Sequence, residues 1–182
     1  YTSSSVRAAI LSKYAQGSGN GWSIHVFNSK IDAYYFKDPS NHIPAPITTT
    51  FNVADNNWHH VALVVDNSGG RIYIDGALAS AVSSWSGTAG APTSTNNLQM
   101  GLTGPWYLPA QIDEVRIWNV ARSQCEIQTY MGAEITSTAS GLVANYHFNQ
   151  GIPSGSNTGV TTLIDAAGAN TGTLTNFALT GT

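Results

Sequence analysis

Apolar side chains fall on every second position in two neighbouring segments near the middle of the chain. Val61, Leu63 and Val65 share one side of the first segment, and Ile72 and Ile74 share one side of the second. A period of two is typical of β-strands that bury one face. The pattern therefore predicts two consecutive strands.

Turn-forming residues separate these strands and follow the second one. Residues 66–70 read Asp-Asn-Ser-Gly-Gly, a sequence that tolerates a sharp reversal. Asp75-Gly76 is a dipeptide favoured in two-residue type I′ hairpin turns, and a third strand would begin at Ala77. Two tight reversals so close together predict an antiparallel meander.

Further strand-like segments lie on both sides of the meander. In chain order they are residues 6–11, 22–27, 31–36, 98–101, 112–118 and 142–148. Residues 38–50 hold three prolines, which cannot donate to a strand ladder, so this segment is predicted to be a loop. Ser123 and Glu126 have capping-box spacing, which predicts one short helix near 123–131.

These elements define a fold class and a domain organisation. The chain is predicted to be all-β, an antiparallel two-sheet β-sandwich of the jelly-roll type with that single helix. Its 182 residues suit one sandwich with a sizeable core and are too few for two ordinary domains. We therefore expect a single domain over residues 1–182.

Composition and charge exclude several classes of function. Only 9% of the residues are charged and the net charge is -3, so no nucleic-acid partner is expected. No apolar run approaches the ~20 residues of a membrane span. Cys125 is the only cysteine, which excludes an internal disulfide.

Several motifs together resemble one known family. They are W-H-H-V-A from Trp58, Y-I-D-G from Tyr73, I-D-E-V-R-I-W-N from Ile112, G-L-V-A-N-Y-H-F-N from Gly141, and D-A-A-G-A-N-T-G-T over residues 165–173. This combination is similar to the laminin-G-like jelly roll of the concanavalin A-like lectin/glucanase superfamily, in its bacterial secreted form. The resemblance covers residues 4–175.

The resemblance also carries an expectation about the N-terminus. Members of the family usually begin with two further strands, whereas Tyr1 to Ser5 resemble the turn that follows the second of them. A sandwich without those strands would leave strand edges unpaired. The expectation is either a fragment or a chain completed by strands from neighbouring domains or subunits.

The resemblance implies a glycan-binding, adhesion or accessory role outside the cell. We therefore expect a non-catalytic carbohydrate-binding or adhesion module of a larger bacterial protein, extracellular or at the cell surface, with polysaccharides or glycoprotein glycans as partners. One alternative is a structural module that packs or exchanges strands with neighbouring chains. A second alternative is a divergent polysaccharide lyase.

Hydrolytic catalysis is not expected. Glycoside hydrolysis needs two carboxylates that flank the scissile bond. Asp113 and Glu114 fall on opposite faces of their strand by alternation, and Glu114 is instead expected to pair with Arg116. No catalytic residue is assigned.

The lyase alternative depends on a partial resemblance. Tyr34-Tyr35-Phe36-Lys37 contains a Y-F-K sequence that is similar to a motif of alginate-lyase-type jelly rolls, and Ser23-Ile24-His25 matches part of a second motif. The arginine-rich strand of those enzymes is absent. A lyase also needs a base and groups that neutralise the substrate's charge.

Aromatic residues in polar loops are the candidate sugar contacts. Trp85, Trp106 and Tyr107 lie in such loops and are assigned to ligand binding, since exposed aromatic faces stack on sugar rings. Packing at the edge of the sandwich would explain the same residues. Trp58 and Trp118 belong to strand patterns and are expected in the core.

One loop is a candidate calcium site. Asp165 and Asn170 stand in a D-x-x-G-x-N sequence that offers the oxygen ligands calcium prefers. Turns stabilised by Asp and Asn side chains account for the same residues without a metal. Adjacent His59 and His60 point to opposite faces of a strand, so they cannot share one metal ion.

Overall fold

Antiparallel strands make up nearly all of the regular structure of this chain. A computed structural model describes residues 7–14, 17–44, 46–103, 106–136 and 139–175. The strands are β1 (Ala8–Ser12), β2 (Gly21–Phe27), β3 (Lys30–Asp38), β4 (Asn41–His42), β5 (Ile47–Thr48), β6 (Val61–Asp66), β7 (Gly69–Ile74), β8 (Ala77–Val82), β9 (Gln99–Met100), β10 (Leu102–Thr103), β11 (Trp106–Tyr107), β12 (Val115–Trp118), β13 (Leu142–Tyr146), β14 (Thr162–Leu163) and β15 (Gly172–Thr173), with one helix, α1 (Gln124–Tyr130). The predicted all-β class with a single short helix is confirmed.

The largest sheet has six strands in the order β4-β3-β2-β1-β9, and β5 also pairs with β3. Strands β2 and β3 run antiparallel in continuous register, with Ser23 opposite Tyr34 and His25 opposite Asp32. The prediction of a plain loop over 38–50 is wrong, because this segment contains β4 and β5. The three prolines flank these two-residue strands and leave their ladder donors intact.

The predicted meander is present as the three-stranded sheet β6-β7-β8. At the turn between β7 and β8, Asp75 has φ 51° and Gly76 has φ 75°. Positive φ at both central residues is the requirement of a type I′ turn, so the prediction from Asp75-Gly76 is confirmed.

The meander is covered on both faces. Ile72 and Ile74 are buried on one face. On the other face, Val64 and Tyr73 pack with Ile127 of α1 in one hydrophobic cluster. This second covered face explains why Val64 is the most buried residue of β6, although the sequence pattern favours the opposite face.

The apolar side of the six-stranded sheet forms the larger core. Ile31 and Ala33 of β3 are almost completely buried, as is Ile47 of β5. Gly70 of β7 lies so close to Ile47 that an added Cβ would clash with that side chain. Bare backbone at Gly70 therefore allows β7 to pack tightly on the isoleucines.

Gly69, at the start of β7, is a position where glycine is required. Its φ is +126°, and a Cβ there would overlap the carbonyl oxygen of Val82. We expect Gly69→Ala to lower the free energy of unfolding by about 2 kcal/mol or more, since it combines backbone strain with a clash against main chain. Chemical denaturation measures this loss, and Gly159→Ala, where an added Cβ meets nothing within 4 Å, is the control. Equal effects of the two substitutions would contradict the prediction.

Helix α1 begins at the predicted capping box. The Ser123 side chain accepts from the Glu126 N–H, and the Glu126 carboxylate accepts from the Ser123 N–H at 2.7 Å. The side-chain amides of Gln124 and Gln128 both donate to the Gly76 carbonyl at 3.0 Å, which ties the helix to the type I′ turn. In the described part of the chain, no helix is long and apolar enough to cross a membrane.

The chain divides into two compact units. The first comprises residues 1–110 and 121–131, and the second comprises 111–120 and 132–182. The second unit contains the antiparallel pairs β12–β13 and β14–β15, and Asn145 of β13 is fully buried. A single domain over 1–182 stays a prediction.

Candidate functional site

Four half-buried rings lie on one face of the six-stranded sheet, opposite the apolar face that holds Ile31 and Ala33. Alternation along β3 places Tyr34 and Phe36 on the face opposite Ile31 and Ala33. Tyr14 and His42 reach this face from the residues after β1 and from β4, because both rings contact Phe36. We call Tyr14, Tyr34, Phe36 and His42 the aromatic strip.

The rings of the strip form a continuous series centred on Phe36. The Phe36 ring lies 5.7 Å from Tyr14 and 5.0 Å from His42 between centroids. Tyr34 stacks beside Phe36 at 6.4 Å with an interplanar angle of 15°. The rings of Tyr14 and His42 are tilted from Phe36 by 49° and 33°, so the nearly parallel pair of Tyr34 and Phe36 is the part best suited to contact with a pyranose ring.

Arg7, Asp32 and His25 form a charged and polar group next to Tyr34, at one end of the strip. The Arg7 Nε donates to Asp32 Oδ2 at 2.8 Å. The same guanidinium lies 4.1 Å above the Phe27 ring and 5.6 Å from the Tyr34 ring. These contacts hold the arginine over the sheet, beside the His25 ring that meets Tyr34 edge-on at 5.9 Å.

Two buried polar atoms beside Arg7 lack hydrogen bonds within the described residues. They are His25 Nδ1 and Asp32 Oδ1, and they lie 3.5 Å apart. His25 is 6% exposed and Asp32 is 1% exposed. Since unsatisfied buried polar groups are costly, the close approach of the two groups to each other offsets part of that cost, and neither atom is accessible to a ligand.

The tyrosine at the polar end of the strip is held in its neutral form. Burial raises the pKa of Tyr34, and the nearby Asp32 carboxylate raises that pKa further, while Arg7 opposes both effects. A neutral phenol can both donate and accept a hydrogen bond. Tyr34 therefore offers a ring face and a hydroxyl to the same ligand.

Trp85, one of the predicted sugar contacts, is half-buried at the edge of the same unit. Its Nε1 donates to the Asp66 carbonyl at 2.8 Å, and its ring meets Tyr35 edge-on at 5.8 Å. Tyr35 points away from the aromatic strip, since it alternates with Tyr34 and Phe36. These contacts support the edge-packing alternative for Trp85, and its role in binding stays a prediction.

The other two predicted sugar contacts form the short strand β11. Tyr107 is 59% exposed, so its ring is accessible to a ligand. Trp106 pairs with Thr103 through the backbone of β10, and its side chain lies outside the described part of the structure. Their role in binding likewise stays a prediction.

The prediction that Trp58 is a core residue is wrong. Its side chain is 65% exposed, because β6 begins only at Val61 and Trp58 belongs to the preceding loop. The alternating pattern of 61–66 therefore does not extend back to this tryptophan. Trp118, in β12, is half-buried.

Asp165 and Asn170, the predicted calcium ligands, are close together in the second unit. Asp165 Oδ1 accepts from the Asn145 N–H at 2.8 Å and the Ala167 N–H at 3.0 Å. Its Oδ2 accepts from the Asn170 N–H and from Asn170 Nδ2, both at 3.1 Å. Burial would raise the pKa of Asp165, but these hydrogen bonds outweigh it and hold the pKa below its usual value.

This arrangement accounts for the loop without a metal. Both carboxylate oxygens of Asp165 face N–H donors, and the Asn170 amide directs its nitrogen toward them. The alternative of turns stabilised by Asp and Asn side chains therefore has direct geometric support. Calcium binding by these residues stays a prediction.

The predicted pair of Glu114 and Arg116 is present in the second unit. Arg116 Nη2 donates to Glu114 Oε2 at 2.8 Å, and Glu114 Oε1 lies 2.8 Å from His147 Nδ1. One ligand atom each of Glu114, Glu134 and His147 lies within 4.8 Å of the others. This donor set suits a transition metal. However, Asn145 Nδ2 lies 3.2 Å from the remaining His147 nitrogen, so both ring nitrogens already face a partner.

A second histidine lies between two carboxylates beside the type I′ turn. His59 Nδ1 is 2.8 Å from Asp75 Oδ2, and its Nε2 is 3.0 Å from Asp55 Oδ1. These hydrogen bonds, first that of Asp75 and then that of Asp55, raise the pKa of His59 above its usual value against the effect of desolvation. The imidazolium therefore links the 51–60 loop to the turn.

Stability is expected to depend on pH through His59. Because its pKa is raised on folding, the stabilisation is fully present below about pH 6.5, the unfolded value, and is lost as pH rises through the folded pKa. His59→Gln should lower the free energy of unfolding at pH 5.5 and have much less effect at pH 9. Urea denaturation at both pH values measures this difference. A destabilisation that is the same at both would contradict the proposed charge interaction.

The aromatic strip is the feature that sequence reasoning missed. In the sequence, Tyr34 and Phe36 stand in a Y-F-K motif, and no local pattern singles out Tyr14 or His42. The available signal was alternation, since Asp32, Tyr34 and Phe36 share a parity opposite to the apolar residues of β3. The register that adds Tyr14 and His42 depends on bulges in β1 and between β3 and β4, which sequence does not reveal.

A family model described as the concanavalin A-like lectin/glucanases superfamily, of the laminin G type, matches residues 1–128. The chain belongs to this superfamily. The predicted family resemblance is thereby confirmed. A search of curated proteins finds no match.

Two solved structures resemble this member of the superfamily. One is a Bacteroides ovatus protein to which carbohydrate binding is provisionally attributed. It has a TM-score of 0.60 and 17% sequence identity, over 94% of this chain and 51% of that one. The other is an S-layer domain-containing protein of Clostridium thermocellum, with a TM-score of 0.35 and 22% identity over 71% of this chain and 64% of that one. The chain thus spans about half the length of the Bacteroides protein, and the likeness concerns the fold.

Proposed function

We propose that this chain is a non-catalytic carbohydrate-binding module that takes a glycan along the aromatic strip. The observation that carries the proposal is the continuous series of half-buried rings centred on Phe36, with Tyr34 stacked beside it at 6.4 Å. Neighbouring rings that share one face of a sheet and are only partly buried are suited to a flat, partly apolar ligand.

The strip can supply both parts of sugar recognition. Ring faces of Tyr34 and Phe36 would stack on the C–H faces of pyranose units. The Tyr34 hydroxyl and the Arg7 guanidinium, whose side chain is 39% exposed, would exchange hydrogen bonds with sugar hydroxyl groups. Because the sheet backbone fixes these side chains, little ordering is needed on binding.

Membership of the superfamily supports a carbohydrate ligand, and so does the role attributed to the Bacteroides protein. Fold alone does not decide function, so the proposal depends on the strip. We further propose that the module acts outside the cell, within a larger protein, in glycan binding or adhesion.

Affinity electrophoresis in gels that contain single polysaccharides, preceded by a glycan array, tests the proposal. We expect retardation by at least one polymer, and loss of that retardation in Tyr34→Ala. Retardation that survives this substitution would exclude the strip as the site. Absence of binding to every glycan by the folded chain would overturn carbohydrate binding itself.

One observation favours the lyase alternative. Arg7, His25 and Tyr34 come together, with the Arg7 guanidinium 5.6 Å and the His25 ring 5.9 Å from the Tyr34 ring. However, the raised pKa of Tyr34 disfavours the phenolate form that would act as a base. Absorbance of unsaturated products at high protein concentration distinguishes the two functions. If unsaturated products form and His25→Gln abolishes their formation, the protein is a lyase and the binding proposal is overturned.

A further inference from the structure

The loop that leads into β6 exposes its two largest apolar side chains. Trp58 is 65% exposed and Phe51 is 44% exposed. Aromatic side chains of this size are usually buried for most of their surface. Apart from these two, the exposed residues of the segment 51–60 are all asparagine or aspartate. We call residues 51–60 the Trp58 loop.

Polar side chains hold the backbone of the Trp58 loop. The Asn57 N–H donates to Asp55 Oδ1 at 2.9 Å, and Asn57 Nδ2 donates to Asp55 Oδ2 at 3.0 Å. The Val53 N–H donates to the Ser29 carbonyl at 2.8 Å, which fixes the loop to the turn between β2 and β3. The usual arrangement is therefore reversed, since polar groups provide the internal contacts and the aromatic rings face solvent.

His59 ties the Trp58 loop to the turn between β7 and β8. Its Nδ1 lies 2.8 Å from Asp75 Oδ2 and its Nε2 lies 3.0 Å from Asp55 Oδ1. The Phe51 ring meets the His59 ring edge-on at 5.3 Å. His59 thus fixes Phe51 and the backbone next to Trp58. A surface that is fixed before binding loses little conformational entropy on binding.

We propose that Trp58 and Phe51 form a second sugar-binding surface, which takes a neutral, hydroxyl-bearing pyranose ring. The surface lies on a loop outside the aromatic strip, so the inference goes beyond the proposed function and does not need the strip. Trp58 is the residue that would provide most of the contact, because it is the more exposed of the two rings.

The carboxylates that hold the loop can also accept hydrogen bonds from a sugar. The side chains of Asp55 and Asp75 are 39% and 48% exposed. A carboxylate offers about four acceptor positions. The described contacts use three of these positions at Asp55 and two at Asp75. The remaining positions can accept from sugar hydroxyl groups, while an aromatic face contacts the C–H groups of the same sugar.

The size of the surface favours a sugar over a protein partner. A stable protein–protein interface buries about 800 Å² on each partner. A large aromatic side chain contributes about 150–250 Å² when it is buried completely. Trp58 and Phe51 are already partly buried, so the area that they still expose is a fraction of what a protein partner would need. A single pyranose ring matches their size.

Nuclear magnetic resonance of the indole N–H groups tests the proposal. The probes are the hexasaccharides of cellulose, mannan, xylan and amylose, all of them neutral. We expect one probe to shift the Trp58 signal, identified by its absence in Trp58→Phe, with a Kd on the order of 1 mM. Binding this weak does not retard the chain in a polysaccharide gel, so it is distinct from the retardation expected of the strip. The shift should persist in Tyr34→Ala.

Substitutions locate the second surface. Trp58→Ala should weaken the binding at least about tenfold, as followed by the backbone signals of the loop, and Trp58→Phe should weaken it less. Leu78→Ala is the matched control, since it removes another apolar side chain, 52% exposed, from β8. Affinity should be unchanged in that variant.

The outcomes separate this proposal from that of the strip. A Trp58 signal that no probe shifts would overturn the second surface and leave the strip unaffected. A shift that disappears in Tyr34→Ala would also overturn it, since Trp58 would then only sense binding at the strip. If the Trp58 signal instead moves with protein concentration and sedimentation shows a dimer, the loop is a protein interface. Should Trp58→Ala fail to fold by circular dichroism, Trp58→Phe decides, and unchanged affinity in that variant would contradict the proposal.

Discussion

Replacing Phe36 by alanine is expected to weaken glycan binding by about 10- to 30-fold, which corresponds to roughly 1.4–2 kcal/mol. Phe36 is the central ring of the strip, with Tyr14 at 5.7 Å, Tyr34 at 6.4 Å and His42 at 5.0 Å. Its loss would remove one stacking surface and would also leave the neighbouring rings without support. Isothermal titration with an oligosaccharide of the bound polymer measures the change.

Tyr107→Ala is the matched control for this prediction. It removes another aromatic ring, 59% exposed on β11, which was assigned to binding from sequence. If glycans bind along the strip, affinity should change little in Tyr107→Ala. A large loss in that variant together with normal affinity in Phe36→Ala would place the site at the loops and not on the sheet. Thermal unfolding of both variants shows whether any loss reflects binding or folding.

Local sequence chemistry was sufficient to predict the meander and the helix. Positive φ at Asp75 and Gly76 follows from a dipeptide that tolerates it, and the capping box of Ser123 and Glu126 follows from their spacing. Each of these features depends on residues close together in the chain. Interactions of this range are encoded directly in a single sequence.

Features that depend on distant segments were not predictable in the same way. The aromatic strip requires the register of β3 with β2 and β4, and the last of these pairings contains an irregularity between Phe36 and Asp38. The exposure of Trp58 depends on where β6 begins, which its apolar pattern does not define. The sequence placed candidate aromatic residues in polar loops, whereas strand pairing brings four other aromatic side chains together on one sheet face.

Asp165→Ala is expected to lower the free energy of unfolding of the second unit by about 3 kcal/mol or more. Its buried carboxylate accepts four hydrogen bonds, two from the backbone N–H groups of Asn145 and Ala167 and two from Asn170. Alanine would leave these donors unsatisfied, and the Asn145 donor is buried. Chemical denaturation measures the loss, and hydrogen exchange at the Asn145 amide localises it.

Asp165→Asn separates the charge of this carboxylate from its shape. Because the pKa of Asp165 is lowered on folding, its charge stabilises the protein above the unfolded value and this stabilisation is lost as pH falls through the folded pKa. The asparagine variant should therefore be less stable than the wild type at pH 7, and this difference should shrink toward pH 2.

The effect of calcium on unfolding decides whether the loop is a metal site or a turn stabilised by hydrogen bonds alone. If hydrogen bonding alone explains Asp165, a chelator will leave the unfolding of the wild type unchanged, whereas stabilisation by added calcium that disappears in Asp165→Asn would establish the loop as a metal site.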